Sequence, residues 1–212
     1  MTLSHSLLLL LLAYLFGSLP IGLLVGRMVK GIDVRDYGSG NIGASNVWRT
    51  MGPLWGTAVF LFDFCKGYFP TLLTARLHAH LPETSPWMPV AVGLAAILGH
   101  NFSPFLRFKG GKGVATSLGV VFGLSPVAAS IGFAVWGVCL FWTRYISVSS
   151  MIAAVVTSGI LIALFPDLPH VVFAALVALF VVVKHRPNIA RLRAGTEPKV
   201  KRGMRPSAGA SS

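Results

Sequence analysis

Seven apolar stretches take up most of the chain: Leu7 to Val29, Pro53 to Leu77, Met88 to Gly99, Val114 to Leu124, Val127 to Trp142, Met151 to Phe165 and Val171 to Val183. A membrane-crossing helix needs about 20 apolar residues. In lipid a helix satisfies its backbone hydrogen bonds internally, which an open sheet or loop does not. A chain written this way is expected to be all-α: a polytopic integral membrane helix bundle of about seven transmembrane helices. Several stretches are shorter than a full crossing, so half-helices or strong tilts are expected. Breaks are marked by Pro82 and Pro86, by Ser125-Pro126, and by Pro166 with Pro169, residues that interrupt helices. The first stretch is too long, and lacks the basic head, for a cleaved signal peptide.

Composition narrows the function. Only 11% of the 212 residues are charged, against about 25% in a soluble domain. That excludes an ordinary cytosolic enzyme, a disordered chain and a nucleic-acid-binding domain. Cys65 and Cys139 each stand among apolar neighbours and offer neither a disulfide framework nor metal-ligand spacing. Residues 1–198 are read as one transmembrane domain, and residues 199–212, rich in basic residues, Gly, Ser and Pro, as a disordered basic tail.

Charge sets the orientation. With the N-terminus outside, seven spans put three loops and the C-terminus inside. The first inner segment holds Arg27, Lys30, Arg35 and Arg49, the second Arg107, Lys109 and Lys112, and the third Arg144. The C-terminus adds Lys184, Arg186, Arg191, Arg193, Lys199, Lys201, Arg202 and Arg205, so that only Lys66 and Arg76 fall elsewhere. Such a bias marks the cytoplasmic side. Part of it serves only to anchor helix ends at anionic headgroups.

The inner loops differ because their cations sit among glycines and amides. The first contains Gly38-Ser39-Gly40-Asn41-Ile42-Gly43-Ala44-Ser45-Asn46, with Arg49 beyond. Glycines let successive N–H groups point at one anion, and a following helix would add its positive end. Ser39, Asn41, Ser45 and Asn46 can donate further bonds, and Arg49 supplies a bidentate fork. The alternative is a flexible turn, which needs neither two amides nor an arginine.

The second loop, His100-Asn101 through Lys109-Gly110-Gly111-Lys112-Gly113 to Thr116, looks like a nucleotide phosphate loop but is not one. Position 106 is Leu where a Gly is required, and Lys112 is followed by Gly113 rather than Ser or Thr. A glycine-framed lysine opening a span still suits a single phosphate group. Phe102, Phe105 and Phe108 read as interface anchors. The third turn, Arg144 to Ser150, offers hydroxyls at a helix start, where capping is the ordinary use. The fourth element, His185-Arg186-Pro187-Asn188 with Glu197 downstream, presents an imidazole and an amide at the inner mouth of the bundle.

Asp63 and Lys66 lie inside the second span, where an isolated charge costs about 2.5–3.5 kcal/mol. Spaced i,i+3 they share a helix face, and they are read as a structural ion pair facing the interior. The inner face has few acids, Asp33, Asp36 and Glu197. It lacks paired carboxylates for two-metal chemistry, a Cys/His metal set and a G-x-S-x-G elbow. Such a face binds anions, most simply two phosphorylated compounds. It suits a reaction with an activated donor and a phosphate leaving group, in which positioning and charge neutralisation supply the rate.

Five strings, taken together, are more specific than any one alone: Gly17-Ser18-Leu19-Pro20, Gly38 to Asn46, Asp63-Phe64-Cys65-Lys66-Gly67, Gly99-His100 with Phe108 to Thr116, and His185 to Ile189. In this order, from about Gly17 to Glu197, the chain resembles the bacterial acyl-phosphate:glycerol-3-phosphate acyltransferase family. The resemblance implies a seven-helix enzyme of the bacterial inner membrane, its active site facing the cytoplasm. It would move a fatty acyl group from acyl phosphate to the sn-1 hydroxyl of glycerol 3-phosphate, giving lysophosphatidic acid and phosphate. The implied partners are these two substrates and membrane lipid, with a functional link to the soluble enzyme that makes acyl phosphate; no cofactor, metal or nucleic acid is implied.

By the same resemblance Ser39 and Arg49 belong to a first motif, Gly110, Gly111, Lys112 and Gly113 to a phosphate-binding motif, and His185 and Asn188 to a third, with Glu197 supporting structure. Ser39, Arg49, Lys112, His185 and Asn188 are therefore expected to be the catalytic set, and the reading of the loops adds Gly40, Asn41, Ser45, Asn46, Lys109, Arg144 and Ser150 to the residues expected around the phosphates. Position 45 is Ser where the family often has Thr, which keeps the hydroxyl. The resemblance further implies that no acyl-enzyme forms and that a donor phosphate oxygen takes the hydroxyl proton. Within that frame Lys112, Arg49 and the first glycine loop are expected to neutralise the donor phosphate. Ser150, His185 and Asn188 would orient the acceptor, with His185 as general base the alternative.

Two rivals remain. A phosphate or organic-anion transporter would place polar groups near the midplane on discontinuous helices, whereas only Asp63 and Lys66 lie deep. The other acyltransferase class needs an Asp five places after a His; the nearest approach, His78 with Glu83, falls on the outer face.

Overall fold

The seven apolar stretches are helical except at Leu19-Pro20 and Phe165. The structure, a computed structural model, describes residues 3–81 and 84–200, and among the described residues there is no strand. The helices are α1 (Leu3–Ser18), α2 (Ile21–Lys30), α3 (Ala44–Met51), α4 (Pro53–His80), α5 (Trp87–Asn101), α6 (Val114–Leu124), α7 (Pro126–Thr143), α8 (Ile146–Leu164), α9 (Leu168–Lys184) and α10 (Arg186–Arg193). Sequence punctuation explains several starts. Ser125 Oγ accepts the Ala128 N–H at 3.3 Å and Asp167 Oδ1 the His170 N–H at 3.2 Å, two N-caps that satisfy otherwise unpaired donors. Pro53 and Pro126 occupy first helical positions, where the missing N–H costs nothing.

The first stretch is not one continuous helix. It breaks between Ser18 and Ile21, because Pro20 has no N–H and its ring clashes with the preceding turn. The carbonyls freed by the break find distant donors. Ser103 Oγ donates to the Ser18 carbonyl at 2.6 Å, and Lys66 Nζ to the Leu19 carbonyl at 2.5 Å. The break thereby ties α1 to α4 and to the loop after α5.

Polarity is arranged for lipid. Ser18, Asp63, Lys66, Thr71, Thr74, Thr116 and Ser117 are buried, while Leu7, Leu8, Leu11, Leu54, Phe62, Val127 and Trp142 are exposed. With no hydrophobic drive between helices in a bilayer, close backbone approach supplies the packing. A methyl on Gly67 would overlap the Thr116 carbonyl, and one on Gly119 would overlap that of Phe64, so α4 and α6 meet glycine to backbone in both directions. One apolar core, including Val90, Ile97, Val120, Leu161, Phe173 and Val177, joins α5, α6, α8 and α9. A second, with Leu23, Val34, Ile42, Val47, Val59 and Leu106, lies under the first glycine loop and holds α3 on α4.

By length and composition, four helical segments suffice to cross a membrane, and the bent pair of α9 and α10 makes a fifth. Helix α4 has 28 residues but carries Asp63, Lys66 and Arg76. Helix α6 has 11, about 16 Å at 1.5 Å per residue, roughly half the hydrocarbon thickness. Of the expected tail, residues 201–212 lie outside the described residues, as do Pro82 and Glu83. Its first residues are attached: the Val200 N–H donates to the Arg144 carbonyl at 2.8 Å, and Lys199 Nζ lies 5.1 Å from the Tyr145 ring centroid.

Candidate active site

The first glycine loop is built around Asn46, at the start of α3. Asn46 Oδ1 accepts from the Ser39 N–H at 2.7 Å and from Ser39 Oγ at 3.1 Å. Its Nδ2 donates to the carbonyls of Val34 at 2.8 Å and Tyr37 at 3.0 Å. Every polar atom of that amide is therefore engaged inside the loop. This differs from the expectation that Asn46 donates to a ligand: the buried side chain shapes the loop and sets Ser39. Gly38 has φ +61°, and a Cβ there would overlap Asn46 Oδ1, which is why glycine is required. Asn41 Oδ1 accepts the Gly43 N–H at 2.8 Å, a local turn. Gly40 and Ser45 line the same loop, and Arg49 leaves the last turn of α3 with its side chain exposed.

The second loop departs further from expectation. The Gly110 N–H donates to the Asn101 carbonyl at 3.2 Å and the Gly111 N–H to the His100 carbonyl at 3.0 Å. Those two N–H groups fasten the loop to the end of α5 and do not form an anion nest. A methyl on Gly111 would overlap the His100 imidazole, so these glycines serve close packing. Gly113 has φ +79° and caps α6. Lys112, between them, turns toward the C-terminal elements, whereas Lys109 points to the exterior.

Those elements converge on Glu197. Lys112 Nζ donates to Asn188 Oδ1 at 2.5 Å, and Asn188 Nδ2 donates to Glu197 Oε1 at 2.6 Å. Ser147 Oγ donates to the same oxygen at 2.7 Å, and Arg191 Nε to Glu197 Oε2 at 2.7 Å. Asn188 and Arg191 stand three apart on α10, so both side chains reach one side of it. His185 joins α9 to α10; its Nδ1 lies 2.7 Å from the Val181 carbonyl, which assigns the proton to Nδ1 and leaves Nε2 as an acceptor.

Two sequence-selected residues lie apart from this hub. Ser150 Oγ accepts from Trp136 Nε1 at 3.3 Å, an α7–α8 contact. Arg144, at φ +60°, ends α7 and presents its carbonyl to Val200. Conversely, Ser147 and Arg191 belong to the hub and were not selected from sequence. A signal for each was present, Ser147 one helical turn before Ser150 and Arg191 one turn after Asn188.

Electrostatics follow from burial around one carboxylate. Burial alone would raise Glu197, but hydrogen bonds from Asn188, Ser147 and Arg191 outweigh it and hold it below the usual carboxylate range. Burial lowers Lys112 to about 8, with Glu197 opposing and Arg191 and Arg49 adding to the fall. Arg49, though exposed at the end of α3, is lowered by partial desolvation of its guanidinium, with Glu197 opposing and Arg191 adding; a guanidinium remains charged regardless. His185 is lowered to about 4, first by burial and then by the Lys112 charge, so it is neutral at pH 7. Of the three cations, Arg191 bonds the carboxylate directly, Lys112 reaches it through Asn188 and Arg49 feels its charge, an excess of positive charge suited to binding anions. In the α4 span, Lys66 Nζ pairs with Asp63 Oδ1 at 2.6 Å, both side chains buried.

The chain is similar to known proteins along most of its length. A family model described as glycerol-3-phosphate acyltransferase matches residues 7–195. The glycerol-3-phosphate acyltransferase of Desulforudis audaxviator is 47% identical over 191 residues, 89% of this chain and 92% of that protein. That of Bacillus velezensis is 44% identical, covering 92% of this chain and 97% of its own. The crystal structure of PlsY (YgiH), an integral membrane glycerol 3-phosphate acyltransferase, in its glycerol 3-phosphate form superimposes with a TM-score of 0.87 at 38% identity, covering 93% of this chain and 96% of that one. Its lysophosphatidic acid form gives a TM-score of 0.84. With a family model spanning most of its length and relatives above 40% identity, the chain belongs to the glycerol-3-phosphate acyltransferase family of membrane enzymes.

Proposed function

We propose that this enzyme transfers a fatty acyl group from acyl phosphate to the sn-1 hydroxyl of glycerol 3-phosphate, releasing lysophosphatidic acid and inorganic phosphate. The observation that carries the reading is the connected set in which Lys112 bonds Asn188 while Asn188 and Arg191 bond the single carboxylate of Glu197, so that two cations meet one acid and leave positive charge for phosphorylated compounds. The glycerol 3-phosphate and lysophosphatidic acid forms of the solved relative are consistent with such an acceptor and product. Family membership gives no support to the transport alternative.

In the reaction the acceptor hydroxyl oxygen attacks the acyl carbonyl carbon, and the bond from that carbon to the phosphate oxygen breaks. Lys112 and Arg49 neutralise the departing phosphate, the term that preorganised charge serves best. Ser39, held by Asn46, is proposed to act on the same phosphate with the first glycine loop. Ser150 is proposed with the acceptor, although its observed bond is to Trp136. The hydroxyl proton passes to an oxygen of the donor phosphate. A neutral His185 with an acceptor Nε2 orients the hydroxyl, and a conjugate acid near 4 makes it a poor general base at neutral pH. Such chemistry needs no cofactor, because the donor is already activated.

We place the site at the cytoplasmic side of a bacterial inner membrane, in a bundle crossed seven times with its N-terminus outside. One-sided Lys and Arg support that orientation. A soluble source of acyl phosphate would then deliver the donor from the same side.

The test is purified protein given glycerol 3-phosphate with either acyl phosphate or an acyl thioester. Phosphate released one for one with sn-1 lysophosphatidic acid is expected. Turnover with the thioester alone would overturn the donor assignment. His185→Ala is expected to weaken acceptor binding; unchanged acceptor affinity with a large fall in turnover would assign His185 as the base instead.

A further inference from the structure

The buried pair in α4 has a third member. Lys66 Nζ bonds Asp63 Oδ1 at 2.6 Å and the Leu19 carbonyl at 2.5 Å. On the other side of Asp63, at the end of α5, His100 Nδ1 stands 3.6 Å from Asp63 Oδ1, and its side chain is 4% exposed. That separation is just beyond a hydrogen bond, yet close enough for the carboxylate to keep the Nδ1 proton toward itself. A bare lone pair there would face negative charge.

The far edge of the ring meets the second glycine loop. A methyl on Gly111 would overlap His100 Nε2 and lie about as close as 2.9 Å to Cε1, while the Gly111 N–H donates to the His100 carbonyl at 3.0 Å. One residue thus seats Gly111 with both its backbone and its ring, and Lys112 follows immediately in the chain. A buried ion pair is no more stabilising than apolar residues of the same volume. An apolar pair, however, would leave the imidazole free to turn.

We propose that His100 is a positioning residue for Lys112: its ring, oriented by Asp63 and Lys66, fixes Gly111 and with it the direction in which the Lys112 side chain leaves the backbone. The Asp63–Lys66 pair then serves the active site from within the span. This rests on the reading of Lys112 as a phosphate-binding cation. It also explains why position 111 carries no side chain although its N–H does not form part of a nest.

A double-mutant cycle between His100→Ala and Lys112→Met tests it, read as kcat/KM for glycerol 3-phosphate with acyl phosphate as donor. Misplacing a binding group by about 1 Å costs on the order of a hundredfold, and H100A alone is expected to lose about that much. On the K112M background the same change is expected to cost no more than about twofold, the scatter of independent sites, because the group being positioned is gone. Equal losses on both backgrounds, or no loss on either, would overturn the proposal while leaving the Lys112 reading intact. K112M with full activity would overturn that reading, and this one with it. Thermal unfolding in detergent accompanies each variant. Should H100A not be recovered folded, H100Q, whose amide fills the ring's place, is taken through the same cycle with the same two outcomes.

Discussion

Lys112 Nζ donates to Asn188 Oδ1 across 2.5 Å, although 76 positions separate the two residues. The amide of Asn188 passes the contact on to Glu197 at 2.6 Å, so one side chain both receives the lysine and donates to the carboxylate.

Asn188→Ala removes both contacts at once. Loss of a hydrogen bond to a charged group is worth about 1.5–3 kcal/mol, so kcat/KM is expected to fall by roughly tenfold or more. Steady-state kinetics of the purified variant, at saturating donor, check this. Activity within twofold of wild type would remove Asn188 from the site.

Activity should decline on the alkaline side at an unusually low pH. Lys112 sits near 8 in the free enzyme because it is buried; below that it is charged and binds phosphate, above it the charge is lost. Hence kcat/KM is expected to fall as pH rises through about 8, while the limb in kcat lies higher, since a bound phosphate favours the charged lysine. The acid limb belongs to the substrate phosphate, whose second pKa is about 6, and not to His185, which is already neutral there. A pH profile whose alkaline limb is unchanged in K112R would contradict the assignment.

Glu197→Ala leaves Ser147 Oγ, Asn188 Nδ2 and Arg191 Nε without their shared acceptor. Leaving buried donors unpaired costs about 1–3 kcal/mol, more where charge is involved. The variant should unfold at lower temperature in detergent, as read by thermal unfolding, and lose activity with it. Arg191→Ala should cost less, its guanidinium being partly exposed and already solvated.

Asp63 and Lys66 should behave as a coupled unit. Removing one partner of a buried pair costs about 3–5 kcal/mol, because the other charge is left alone. Asp63→Asn and Lys66→Met are each expected to destabilise strongly, and the double variant by clearly less than the sum. Additive losses in thermal or denaturant unfolding would mean that the two do not interact.

Much of the architecture was legible along the chain because hydropathy and charge act locally. The apolar stretches became helix apart from the break at Leu19-Pro20 and the end at Phe165, and the i,i+3 spacing of Asp63 and Lys66 put both on one face of α4. The break in the first span was less visible. Pro20 signalled it, but the carbonyls it frees matter only because Lys66 and Ser103 arrive there. Ser147 and Ser150 were indistinguishable as hydroxyls at a helix start; one meets Glu197 and the other Trp136.

By itself, then, the sequence determined a membrane helical bundle and loops whose residue types can hold anions. Only the tertiary structure decided which of those donors remain available. Asn46 and the N–H groups of Gly110 and Gly111 are engaged within the protein, while Lys112, Asn188 and Glu197 meet. The reason is physical: partition between water and lipid depends on each segment's own composition, whereas a hydrogen bond depends on which distant group packing brings within about 3 Å.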